Sequence, residues 1–438
     1  MGTRGKEENV SDTKKVVFIL GAALLLLGLT GCSNDEQAQN DTSATNESIQ
    51  SHVTFEAPDA PLNITVTTPG EDTTQEMTPI VAQVPYAPVP FAGSDGRTHL
   101  VYELLATNFT PGKITIEQLE VLDADTGDVV ATFDGKEVAS NIHPAGTQDT
   151  ADTLDPSMAA TIFLHVTLDK ADQVPNRLVE RLSLQAAAAP PEQQSLTEKV
   201  GETNVDRRAV VMLGPPLKGS NYVAGDSCCD APHNHRKSPQ PMNGQFRLSQ
   251  RYAVDYQQLD ADNRIYSGDK NDLNNFTIYG KEALAVADGT VVKVTDGLPE
   301  RKPGDLPESI SLDEAEGNLV ILDIGGGTYV DYAHFQPGSI RVKEGDRVKR
   351  GDVLALVGNS GNTTAPHLHF HVMDGPLFLV SNGLPYGISS FTLTGQSAGT
   401  DAFNKAEQEG TRLEVTPVDP AKTVTEAMPL DQNVVSFA

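Results

Sequence analysis

The stretch "TTAPHLHFHVMDG", residues 363–375, places His367, His369 and His371 at every second position. Leu368, Phe370 and Val372 fill the alternate places, and aromatic and β-branched residues favour strands. In a strand, residues i, i+2 and i+4 line one face. The pattern therefore predicts a strand with three imidazoles on one side and apolar side chains turned to a core on the other. A single histidine on such a face is most often only hydrated. Three of the chain's ten histidines within five residues, beside a loop rich in Gly, Asn and Thr, point instead to metal chemistry, for which neutral imidazole is the commonest ligand.

Working outward, the neighbouring segments are also β-rich. "ALAVADGTVVKV" (283–294) reads as a hairpin turning at Asp288-Gly289, and "NLVILDIGGGTYVDYAH" (318–334) as another with its turn at glycines 325–327. "IRVKEGDRVKRGDVLALVGNSGN" (340–362) adds short strands broken by Gly345 and Gly351. The polar, proline-containing stretch 296–317 reads as a surface loop. Further upstream, "THLVYELLATNF", "ITIEQLEVLDA", "DVVATF", "ATIFLHVTL" and "RLVERLSLQA" are short strand candidates with Gly, Asp and Pro turns between them. They predict an immunoglobulin-like β-sandwich over 59–213, with a strand "LNITVTT" near its start. His99, His143 and His165 are scattered through it without ligand spacing. The expected class is all-β, with a second β-domain over 214–395 and an acidic tail over 396–438 whose end, "MPLDQNVVSFA", is expected to dock as a strand.

A formal charge of −28 over 438 residues argues against a nucleic-acid partner. Lys14-Lys15, the apolar run "VVFILGAALLLLGLTG" (16–31) and then Cys32 have the layout of a secretory signal. The run is short for a membrane span. Its ending "LTGC" resembles the bacterial lipobox, which implies a signal peptide over 1–31, a lipidated Cys32 as mature N-terminus, and anchoring to the cell envelope. Residues 32–58 are polar and acidic and read as a disordered tether. Adjacent Cys228 and Cys229 are open to a vicinal disulfide, free thiols or metal ligation, and a structural role is expected.

"SQRYAVDY" (249–256), "ALAVADGTVV", "YAH" (332–334), "VKRGDVLALVGNSG" and "HLHF", in that order and spacing, resemble the lysostaphin/LytM-like zinc endopeptidases of bacterial cell walls. The resemblance covers about 245–375 and implies a barrel-like β-domain of that type, built from a duplicated hybrid motif. It implies that Asp255 and His369 bind Zn2+. It also implies that His334 and His367 flank the attacking water as base and transition-state stabilisers. Independently of the family, zinc lowers the pKa of a bound water to about 7, and nearby imidazoles can take up its proton. The role of His371 stays open between supporting a ligand and simple polarity.

One departure matters. The family pattern is His-x-x-x-Asp, with both residues on the metal, and four residues before Asp255 this chain has Arg251. A guanidinium stays cationic and donates only, so it cannot ligate zinc. If Asn243-Gly244 turns a hairpin, residues 233–236 return beside 251–254, and His235 or His233 can fill the gap. Pro239 and Pro241 leave that register open. The expected function is a secreted, lipid-anchored zinc endopeptidase acting on peptidoglycan peptides. The alternative is a noncatalytic wall-binding lipoprotein, or one that regulates a cell-wall amidase as its partner.

Overall fold

The computed structural model describes residues 78–438, apart from 148, 230–234 and 307–308. The signal segment, Cys32, the tether, the "LNITVTT" strand and His233 lie outside these residues. The described chain is mostly β, with just two α-helices, Gly135–Asn141 and Thr400–Glu409. Among the described residues no helix is long and apolar enough to cross a membrane.

Two antiparallel sheets form from the first part of the chain. One joins Ile80–Gln83, Thr98–Asn108, Ala159–Leu168 and Ile142–Pro144, with Phe91–Ala92 also paired to Thr98–Asn108. The other joins Val129–Asp134, Ile114–Asp123, Arg177–Ala186 and Ser195–Asn204. Period-two alternation turns Leu100, Tyr102, Leu104, Ile162 and Leu164 of the first sheet toward Ile116, Leu119, Val121, Leu182 and Leu184 of the second, and these make one continuous core.

A ten-stranded sheet carries the rest. Its order is Arg347–Val348, Gly289–Thr295, Leu319–Gly325, Thr328–Ala333, Leu368–Met373, Val254–Gln258, Gly219–Gly225, Asn433–Phe437, Phe391–Ser397 and Val415–Val424. The expected barrel does not close: the order is linear, with a short strand at one edge and a long, exposed one at the other. Residues 396–438, expected as a tail, supply a helix and two strands, and Asn433–Phe437 lies inside the sheet. The glycine hairpin at 325–327 is present, all three residues having positive φ. The hairpin expected over 283–294 is not. Glu282–Leu284 pairs instead with Val353–Leu356, while Gly289–Thr295 pairs with Leu319–Gly325 and Arg347–Val348. A DG dipeptide signals the turn but not which strands flank it.

The described residues form one compact unit. Near residue 213 the chain passes from one core to the next along Val211–Leu213, which pairs in parallel with Tyr386–Ile388. Phe91 and Val101, on strands of the first sheet, belong to the second core.

Candidate metal centre

Four adjacent strands bring the site together by register. Asp255 lies opposite His369, His369 opposite Ala333, and Gly225 opposite Asp255 on its other side. Val330, Tyr332, Leu368, Phe370 and Val372 point the other way, into the second core. The imidazole face is covered as well: His367, His369 and His371 are 7%, 2% and 0% exposed.

His334 follows directly on its strand and adopts φ 65°, a conformation uncommon for a residue with a Cβ and frequent at functional positions. Its Nδ1–H donates to the Ser360 carbonyl at 2.7 Å. That carbonyl is held by a loop packed backbone to backbone, where a Cβ on Gly361 (φ +85°) would meet the Gly317 nitrogen at 2.4 Å. His367 Nδ1–H donates to the Ala365 carbonyl at 2.8 Å. His235 sits on the short 3-10 turn His235–Lys237, and its Nδ1–H donates to the Asp226 carbonyl at 2.9 Å.

A carbonyl oxygen only accepts, so each of these rings carries its proton on Nδ1, and when neutral presents a lone pair at Nε2. Two of those lone pairs face one carboxylate oxygen. His235 Nε2 is 3.5 Å and His367 Nε2 3.4 Å from Asp255 Oδ2. His369 Nδ1 lies 2.9 Å from Asp255 Oδ1. Acceptors gathered around a largely enclosed carboxylate call for protons or a cation between them. Donor atoms of His235, Asp255 and His369 all lie within 4.8 Å of one another, as do those of His334, His367 and His369. Two imidazoles and a carboxylate, with outer nitrogens fixed by hydrogen bonds, are a donor set suited to zinc.

The electrostatics agree. Burial would raise the Asp255 carboxyl, but the His367, His235 and His369 rings outweigh it and hold the group well below the usual carboxylate range. Burial pushes His334 well below its ordinary value, helped by His367 and His369, and lowers His235. Burial also acts to lower His369, but Glu316 and Asp255 outweigh it and raise this ring to about 9.

Two participants, Glu316 and Gln250, had no sequence signal. Glu316, only 4% exposed, comes from the stretch expected to be a surface loop; its Oε2 is 3.8 Å from His369 Nε2, and Gln250 Nε2 donates to its Oε1 at 2.8 Å. His371 Nδ1 is 3.0 Å from His369 Nε2, so the third histidine of the run supports the second. Arg251 turns away from the cluster to Glu103 on the first sheet, its Nη2 donating to Oε2 at 2.5 Å. The turn at Asn243-Gly244 is present, pairing Gln240–Met242 with Gln245–Arg247, with Pro241 opposite Phe246. Cys228 and Cys229 are buried and bonded to each other. His99 and His165 are 2.8 Å apart across the first sheet, although their spacing in the chain gave no hint of it.

Residues 273–379 match the model of Peptidase family M23. This stretch contains Glu316, His334, His367, His369 and His371, whereas His235, Arg251 and Asp255 precede it. Peptidoglycan DD-endopeptidase ShyA of Vibrio cholerae is 39% identical over 57 residues, 13% of this chain and 13% of that protein. Cell division protein DipM of Caulobacter vibrioides is 28% identical over 111 residues, 25% of this chain and 15% of that protein. The catalytic domain of the antimicrobial peptidase lysostaphin from Staphylococcus simulans aligns at 20% identity with a TM-score of 0.21, covering 37% of this chain and 88% of that one. The chain thus spans 13% and 15% of the two curated relatives' lengths. Residues 273–379, with four of the site's histidines, thus carry a Peptidase family M23 match, and the curated relatives similar to this part include a peptidoglycan DD-endopeptidase.

Proposed function

We propose that this chain is a zinc-dependent endopeptidase that cleaves peptide bonds of peptidoglycan, secreted and held at the bacterial envelope through a lipidated Cys32. The observation that carries the catalytic part is the opposition of two imidazole lone pairs, from His235 and His367, to the Asp255 carboxylate, which is 16% exposed. His235, Asp255 and His369 are the proposed zinc ligands, with His235 taking the place that Arg251 vacates.

Zinc, when bound, supplies a Lewis acid that makes water nucleophilic at neutral pH. His367 and His334 face the same space with Nδ1 committed to carbonyls, so each keeps Nε2 for one proton. One takes the proton of the attacking water. The imidazolium so formed stabilises the oxyanion and then gives that same proton to the leaving amine, with the second ring alongside to share it.

Elemental analysis of the purified full chain tests the ligand set. Wild type should carry one zinc, and His235→Ala, Asp255→Ala and His369→Ala should each lose most of it. A wild type that takes up no zinc at micromolar concentration, yet binds peptidoglycan, would replace this reading with the noncatalytic wall-binding one. For the anchor, Cys32→Ser should abolish metabolic lipid labelling and release the protein from membranes; unchanged labelling would remove Cys32 from the proposal.

A further inference from the structure

Arg251 and Arg236 reach the same buried acid from two sides. Glu103, in the middle of Thr98–Asn108, is fully buried. Its Oε1 accepts from Arg236 Nε at 3.3 Å and from Arg251 Nε at 3.2 Å, and its Oε2 accepts from Arg251 Nε at 3.0 Å. Arg236 is 1% exposed and has no slack: Nη2 donates to the carbonyls of Tyr102 at 2.9 Å and Leu164 at 2.7 Å, and Nη1 to that of Cys229 at 3.3 Å. Its guanidinium also lies over the Phe163 ring, as that of Arg251 lies over Tyr86.

Each arginine adjoins a part of the metal cluster. Arg236 directly follows His235. Arg251 directly follows Gln250, whose amide donates to Glu316 and lies 3.5 Å from His369 Nε2. The segment 235–237 is a single 3-10 turn outside every sheet, so no strand register fixes His235 as it fixes Asp255 and His369.

We infer that Glu103 is a positioning residue for the metal centre: through Arg236 and Arg251 it sets His235 against Asp255 and His369, so the first sheet is part of the zinc site. This rests on the zinc-site reading above. The arginine standing where the family pattern has histidine thus ties the Asp255 segment to the same acid that holds Arg236, the neighbour of His235.

The test is zinc affinity of the full chain, measured by competition with a chelator, with thermal unfolding as the control for folding. Glu103→Gln keeps the shape but loses the charge that both guanidiniums need. It should bind zinc about tenfold more weakly, the low end of what removing a group bonded directly to a ligand costs, because Glu103 acts through the two arginines. Leu104→Ala, on the opposite face of the same strand, should lower the melting temperature and leave zinc affinity unchanged. In the His235→Ala background Glu103→Gln should weaken binding much less than it does in wild type, because the part of its effect that runs through Arg236 and His235 is already gone. Should Glu103→Gln fail to fold, Arg236→Lys, which keeps the charge but not the planar fork, should show the same loss. Wild-type affinity in a folded Glu103→Gln or Arg236→Lys protein, or fully additive losses in the double variant, would overturn the role of Glu103 and leave the zinc site standing. Wild type without zinc would overturn both.

Discussion

At the scale of single residues, the division of labour follows from which nitrogen each imidazole has free. His334 and His367 spend Nδ1 on carbonyls and keep Nε2 for a proton. Alanine at either position should leave zinc content near wild type while turnover of wall peptides falls roughly 10²- to 10⁴-fold, the usual worth of one general acid or base. Native turnover in both variants would take them out of the reaction. A second residue-level prediction concerns stability. Glu180 is fully buried between the first two sheets, accepts from the Tyr102 hydroxyl at 2.9 Å, and is pushed by burial up to about 8 from 4.5. Its folded pKa is raised, so between those values the native state holds a proton that the unfolded state has lost. Stability therefore falls as pH rises through that window, by roughly 1.4 kcal/mol per pH unit, and levels off above it. Glu180→Gln should flatten this dependence in urea titrations at pH 5 and pH 8, and an unchanged slope would assign it to other groups.

At the scale of elements, legibility depended on whether the signal was local. The HLHFH strand was readable because alternation with period two is written in adjacent residues, and Asp255 was readable by its motif. The 283–294 hairpin was misread because pairing is decided by distant strands. Glu316 was hidden in a stretch whose composition looks solvated, and Glu103 more deeply still: a glutamate in an apolar strand has no local mark of burial, and its partners lie 133 and 148 residues away. The loop that aims His334 offers an element-level test. Gly361→Ala would press a methyl group on the backbone of Gly317 and Ala315, in a conformation that disfavours a Cβ. It should lower stability by roughly 1–3 kcal/mol and reduce turnover together, because the Ser360 carbonyl moves with the loop. A variant with native melting temperature and rate would show that the loop can shift without disturbing His334.

At the scale of the whole molecule, the site is closed by residues from far apart in the chain. The acid that steadies His235 is at 103, the imidazoles are at 235, 334, 367 and 369, and the sheet beneath them is completed by Asn433–Phe437, paired on one side with Gly219–Gly225 and on the other with Phe391–Ser397. Val435 and Phe437 are buried in the same core as Tyr256 and Phe370. Removing residues 433–438 would strip one partner from each neighbouring strand and open that core. The shortened chain should lose zinc and cooperative unfolding alike, and a truncated protein with wild-type zinc content would refute this. The placement of that strand also sets a clock. Contacts so distant in sequence form late, and during synthesis residues 433–437 emerge after every ligand. On the proposed function, a nascent chain would then carry all its histidines while still lacking a finished centre, and would stay silent toward wall peptides until that strand has emerged and docked.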